Sequence, residues 1–265
     1  MDSNHAIVAR FGRMGARVKI EAERSGIAPI RINVLKDNKG EYFELRVGEH
    51  VEATVVDVRP EDRHLLLMTR RPGSRGREEK QKFLCGHDER AWFVAAVPEI
   101  AGVSGVASAM EALKPRPVRE EQARKGVRHK DRRKRHTEAY LRQGEWFFLP
   151  RPRLSPPASL VLRNEPIRRG SGKPHLCQEL YRTGGIGVHV NHLYPDGLTD
   201  AEFAALPTAV RERHTWRRMT RDARAFVRGT VRHPDHKTIR LPFWHRVVMN
   251  TESESRAMAG VAFLD

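Results

Sequence analysis

The chain has 265 residues, 39% of them hydrophobic and 31% charged, with a formal net charge of +16. That length can bury a substantial core as one large domain or two small ones. Two cysteines exclude a disulfide framework, and the absence of any run of about 18 apolar residues excludes a membrane-spanning helix.

A pI near 10.6 points to a polyanionic partner, nucleic acid first among them. Met1-Asp2-Ser3-Asn4-His5 lacks the basic start and apolar core of a signal peptide, so a cytoplasmic protein with reduced thiols is expected.

In chain order, Ala16–Ala22 (A-R-V-K-I-E-A) alternates apolar and polar residues as a half-buried strand does. Ile30–Leu35 and Glu41–Val47 flank the turn cluster Lys36-Asp37-Asn38-Lys39-Gly40 and predict a hairpin. Val51–Val58 and His64–Met68 are further strands. Arg70–Lys82 has the composition of a mobile loop. Phe83–Cys85 and Trp92–Val97 form a second hairpin. Some six short strands over 1–100 predict a small barrel or sandwich.

Val103–Leu113 predicts a helix with Ser104 as N-cap, ended by Lys114-Pro115-Arg116-Pro117. Residues 116–143 are expected to be the least globular part of the chain, with a helix over His136–Gln143. Within them, Arg124–Arg135 (R-K-G-V-R-H-K-D-R-R-K-R) carries eight cations in twelve residues and one acid.

The second module, 144–252, opens at Gly144-Glu145-Trp146-Phe147. Leu160–Leu162 and Val188–Val190 are strands, Gly170–Gly172 is a flexible loop, and Pro174–Tyr181 is a helical turn. Thr199 with Glu202 three residues on has the pattern of a capping box. Phe226–Arg232 and Ile239–Asn250 form a closing hairpin across Pro234-Asp235-His236-Lys237. The tail from Thr251, including 253–265, is expected to be loosely held. The fold class expected is thus a β-dominant α+β protein: two small antiparallel β modules, barrel or sandwich, joined by a basic, partly helical linker over 101–143. The echo between Gly40-Glu41-Tyr42-Phe43 and Gly144-Glu145-Trp146-Phe147 is too short to establish a repeat.

Four groups of residues carry candidate chemistry. Arg124, Lys125, Arg128, Lys130, Arg132, Arg133, Lys134 and Arg135 are the expected phosphate contacts, acting by counterion release without reading sequence. Tyr140, Trp146 and Phe147 lie nearby and can stack on bases, although strand spacing favours the core. Cys85, His87, His175 and Cys177 offer the donor set of a tetrahedral zinc site, against the alternative of two buried free thiols. His233, Asp235, His236 and His245 offer metal-binding or acid–base groups, against the alternative of a surface turn. No phosphate-cradling glycine loop, nucleophile elbow or zinc-protease helix is present.

Two local resemblances add to this reading. Gly48-Glu49-His50-Val51 through Met68 resembles the last strands of an S1-type RNA-binding domain, with Tyr42 and Phe43 as the available surface aromatics. Gln143-Gly144-Glu145-Trp146-Phe147, with His233-Pro234-Asp235-His236-Lys237-Thr238-Ile239-Arg240-Leu241-Pro242 and His245-Arg246-Val247, resembles a family of uncharacterised bacterial and phage-borne small β proteins. That resemblance implies a compact β module and no reaction.

Three functions follow as expectations. The first is a non-catalytic nucleic-acid-associated protein, of mobile-element origin, holding DNA or RNA through 124–135. The second is a metal-dependent hydrolase or nuclease, with zinc as the candidate cofactor, using His233, Asp235, His236 and His245. The third is a scaffold for an acidic protein partner.

Overall fold

The computed structural model describes residues 3–23, 29–73, 76–99, 102–169, 172–252 and 255. It is β-dominant with α elements, and no closed barrel forms among these residues. Helix α1 (Ser3–Arg13) buries Ile7 and Phe11, and Met14 in the turn just past its end is buried with them. Strands β1 (Val18–Ala22), β2 (Ile30–Asp37) and β3 (Gly40–Val47) form one sheet in the order β1-β3-β2. The β2–β3 hairpin falls where the turn cluster places it, with Gly40 at φ 103°. The β1–β3 pair is parallel, which departs from an all-antiparallel module.

Strands β4 (Glu52–Arg59), β5 (His64–Pro72), β6 (Glu78–Asp88) and β7 (Ala91–Val97) make an antiparallel meander. Its one face packs on α1 and β1–β3 around Phe11, Phe43, Leu65, Leu67, Phe83 and Cys85. The expected loop over Arg70–Lys82 is corrected: Arg70 pairs with Lys80 and Arg71 with Glu79 in the β5–β6 ladder. Opposite charges facing across strands offset the poor strand propensity of this polar stretch, as in the 2.6 Å Arg71–Glu79 pair.

Helix α2 (Val106–Ala112) covers the other face of the meander through Val106, Ala109 and Ala112. Ser104 is not its cap. The helix starts after Gly105, and the Asp57 carboxylate on β4 accepts from the Val106 amide at 2.8 Å. Helix α3 (Arg116–Arg124) follows, with Pro117 in its first turn.

The segment expected to be least globular is folded. Val118, Ala139 and Tyr140 join Phe147 and Leu149 in a buried cluster. The Arg132 carbonyl accepts from Lys114 Nζ (2.7 Å), Gln122 Nε2 (2.8 Å) and Tyr140 Oη (2.8 Å). The basic tract is therefore held by its backbone, a feature that counting charged side chains does not reveal. The expected helix over His136–Gln143 is replaced by a turn capped by Thr137 and then strand β8 (Leu141–Gln143).

The large C-terminal sheet joins β8 to β9 (Trp146–Pro150), β10 (Val161–Ile167), β11 (His175–Thr183), β15 (Arg224–His233) and β16 (His236–Met249). Its strand order is β10-β11-β15-β16-β9-β8. The helical turn expected at Pro174–Tyr181 is instead β11, because ladders on both sides fix it as a central strand. Between β11 and β15 the chain builds a small outlying sheet from β12 (Ile186–Val190), β13 (Leu198–Thr199) and β14 (Arg217–Arg221), with α4 (Asp200–Ala204) and α5 (Thr208–Arg213). Thr199 and Glu202 form the capping box at the start of α4.

The expected loose tail is corrected where it is described. Thr251, Glu252 and Ser255 are buried, and Ser255 Oγ donates to the Val97 carbonyl at 3.0 Å. Residues 253, 254 and 256–265 lie outside the described residues, as do Gly170 and Ser171 of the expected flexible loop.

Candidate functional site

A cavity of about 510 Å³ separates the N-terminal sheets from the C-terminal sheet. Trp92, Phe93 and Ala95 of β7 wall one side, and Gly144, Glu145, His233 and His236 wall the other. Glu41 and Glu145, each following a glycine at positive φ, both lie on its wall. The two Gly-Glu turns thus serve one cleft.

Three histidines meet at the C-terminal wall, His233 and His236 lining the cavity and His175 buried behind them. His175 begins β11, His233 ends β15 and His236 begins β16, so the sheet's own registry gathers them from distant points of the sequence. Each offers a ring nitrogen, and these atoms lie within 4.8 Å of one another. The rings stack, with centroids 4.2 Å apart for His175–His233 and 4.6 Å for His233–His236.

The protons on this cluster follow from its partners. Gln143 is fully buried; its Nε2 donates to the carbonyls of Lys237 (2.7 Å) and Val231 (3.3 Å). Its Oε1 is therefore an acceptor, and His175 Nδ1, 3.0 Å away, carries a proton and donates to it. His175 Nε2 then faces the Glu145 carboxylate at 3.6 Å. His233 Nδ1 accepts from the Asp235 amide at 3.1 Å. Burial, and then the neighbouring imidazoles, push His236 down to about 4, and burial also lowers His233. His236 Nδ1 is buried without a hydrogen-bond partner, 3.8 Å from Glu89 Oε2.

The backbone at Gly144 presses against this cluster. A Cβ there would sit 2.7 Å from His236 Nε2 and 3.4 Å from His175 Cε1, and its φ is +58°. Glycine is required on both counts. Across the cleft, the β6–β7 turn holds the hairpin. Glu89 accepts from the Lys237 amide at 2.5 Å, and Asp88 and Glu89 both pair with Arg135.

The zinc set expected from Cys85, His87, His175 and Cys177 does not assemble. Cys85 is buried in the N-terminal core and Cys177 in the C-terminal core, both with thiols pushed up by burial. His87 stacks edge-on against Trp92. Only His175 of the four joins a candidate metal group among the described residues. Of the C-terminal set, His233 and His236 come together. Asp235 turns to Lys173 at 3.1 Å, and His245 is buried elsewhere, with Nδ1 2.8 Å from the Phe243 carbonyl. The sequence marks His175 only as a zinc candidate with cysteine partners, and Gln143 only within a resemblance.

The basic tract is partly spent on the protein itself. Arg124 pairs with Glu121, Arg128 and Lys134 both pair with Asp131, and Arg135 clamps Asp88 and Glu89. Arg132 donates to the Val127 carbonyl, and Arg133 lines the cavity. Lys125 and Lys130 are exposed, with no ion-pair partner among the described residues. Folding thus ties Arg124, Arg128, Lys134 and Arg135, four of the eight expected phosphate contacts, to the protein's own carboxylates.

A second set of cations stands on the large sheet. Arg163, Arg224, Arg232 and Arg240 are exposed and have no ion-pair partner among the described residues. Arg232 and Arg240 alternate with Val231 and Leu241, which enter the core. Arg228 lies over the Trp244 ring at 5.0 Å and pairs with Glu179 at 2.5 Å. Spread over β10, β15 and β16, these residues give no dense run in sequence.

No family model, curated protein or solved structure matches the chain significantly.

Proposed function

We propose that the protein binds nucleic acid through the phosphate backbone, using the arginines of the C-terminal sheet together with Lys125 and Lys130. The observation that carries this reading is the set Arg163, Arg224, Arg232 and Arg240. These guanidinium groups are exposed on the sheet and none forms an ion pair among the described residues, although Arg163 lies opposite Glu179 across the β10–β11 ladder. A chain of net charge +16 favours a polyanion, because releasing its counterions drives association. Stripping the cation from a buried carboxylate is costly, so Arg124 is committed to the buried Glu121 and Arg135 to Asp88 and Glu89. Arg128 and Lys134 share Asp131, so either can turn to a phosphate while the other keeps that carboxylate paired.

The test is fluorescence anisotropy with a labelled duplex over a range of salt concentrations. Affinity is expected to fall steeply with salt. Replacing Arg163, Arg232 and Arg240 with Gln is expected to reduce the salt slope by roughly 0.9 for each phosphate no longer neutralised, alike for unrelated sequences. A slope unchanged in that variant would remove the sheet from the interface.

A further inference from the structure

We propose that His175, His233 and His236 form a binding site for one divalent transition-metal ion of the zinc class, with an exchangeable position open to the cavity. The inference is independent of the nucleic-acid reading, since it rests on other residues.

Three observations converge on it. The first is the donor geometry: three imidazole nitrogens lie within 4.8 Å of one another at the ends of three neighbouring strand segments. Nitrogen donors of this kind select zinc, cobalt, nickel or copper over magnesium and calcium. Three protein ligands beside a cavity match the arrangement that leaves a fourth position for water or an anion.

The second is the shell around His175. Its Nδ1 is held by the Gln143 Oε1 acceptor, so the ring turns Nε2 toward the Glu145 carboxylate 3.6 Å away. That carboxylate places negative charge beside the nitrogen that a cation would use. A hydrogen-bonded amide holding the far nitrogen of a ligand imidazole is also the usual means of fixing ring orientation at a metal.

The third is His236. Its Nδ1 is buried with no hydrogen-bond partner, and Gly144 brings backbone against the opposite edge of the ring. His233 gives up the 3.1 Å hydrogen bond from the Asp235 amide on ligation. Glu145 and Glu89 supply negative charge on two sides of the cluster, which favours an ion over a water.

The full chain, stripped with a chelator, is titrated with zinc and with cobalt(II). The expected result is one ion per chain, with visible absorption typical of four-coordinate cobalt. His236→Ala and His233→Gln are each expected to weaken uptake roughly 100-fold or more while melting remains cooperative, since even the groups that orient a ligand are worth up to about that factor. Inorganic phosphate is expected to shift the cobalt spectrum by entering the open position. Substoichiometric uptake by the wild-type chain, or wild-type affinity in both variants, overturns the site. A bound cobalt spectrum indifferent to phosphate overturns the open position. Anisotropy on stripped and loaded protein separates these outcomes from the nucleic-acid reading, because the sheet arginines are unchanged in every sample.

Discussion

Gly144 and His236 meet across a hairpin: any side-chain carbon on Gly144 would lie 2.7 Å from His236 Nε2. This close approach joins the β8–β9 turn to the β15–β16 turn. Gly144→Ala is expected to destabilise the fold by roughly 1–3 kcal/mol, from the left-handed backbone and the displaced ring together. Chemical denaturation measures this. A variant as stable as the parent would mean the turn relaxes without cost.

Stability depends on pH through His236. Its folded pKa is about 4, below the ordinary 6.5. The unfolded chain therefore binds the extra proton first. The contribution of His236 is complete above about pH 6.5 and is lost as pH falls toward 4, a change of about 3 kcal/mol. His236→Gln is expected to flatten the stability curve between pH 6.5 and 4. Thermal melts across that range test it; an equally steep loss in the variant would assign the effect to other groups.

Tyr140 Oη lies 2.8 Å from the Arg132 carbonyl and 3.0 Å from that of Lys134. Tyr140→Phe keeps the edge-on packing with Phe147 and removes the donor. A loss of about 1–3 kcal/mol is expected, because Tyr140 is buried and carbonyl partners are left behind. Hydrogen exchange over 128–136 is expected to rise in parallel, and unaltered protection there would show that Lys114 and Gln122 suffice.

Charge reversal separates the two basic surfaces. Arg224→Glu with Arg232→Glu is expected to weaken duplex binding more than Lys125→Glu with Lys130→Glu. The sheet holds Arg224 and Arg232 in fixed registry, and the pre-organised fork of an arginine loses less freedom per hydrogen bond formed than a lysine ammonium does. Equal losses in the two double variants would argue for a diffuse surface.

Cys85 and Cys177 are both fully buried, with their thiols raised by burial. Neither is expected to react with a thiol reagent in the native state, and both should react once the chain unfolds. Fast modification of the native protein would place one of them at the surface.

The sequence discloses hairpins where turn chemistry is local. Gly40 and the Pro234–Lys237 cluster mark their turns directly, and the Thr199–Glu202 box marks its helix. The basic tract is misjudged because density of charge describes side chains, while this tract is fixed by its backbone carbonyls and by Tyr140. The histidine cluster is half legible. His233 and His236 share a turn, but His175 reaches them only through the β11–β15 ladder, a pairing between strands far apart in the chain. The sheet arginines are hidden because they are widely spaced in sequence over β10, β15 and β16. The parallel β1–β3 pair carries no local signal.

The outlying β12–β14 unit leaves the large sheet at Thr183 and returns at Arg224, and those two residues are themselves cross-strand partners. The whole excursion thus hangs from a single rung. It is detachable: a short turn joining β11 to β15 would leave every remaining ladder, and the three histidines at the far end, in place. Variation in length or content can accumulate in that appendage without being felt at the cleft.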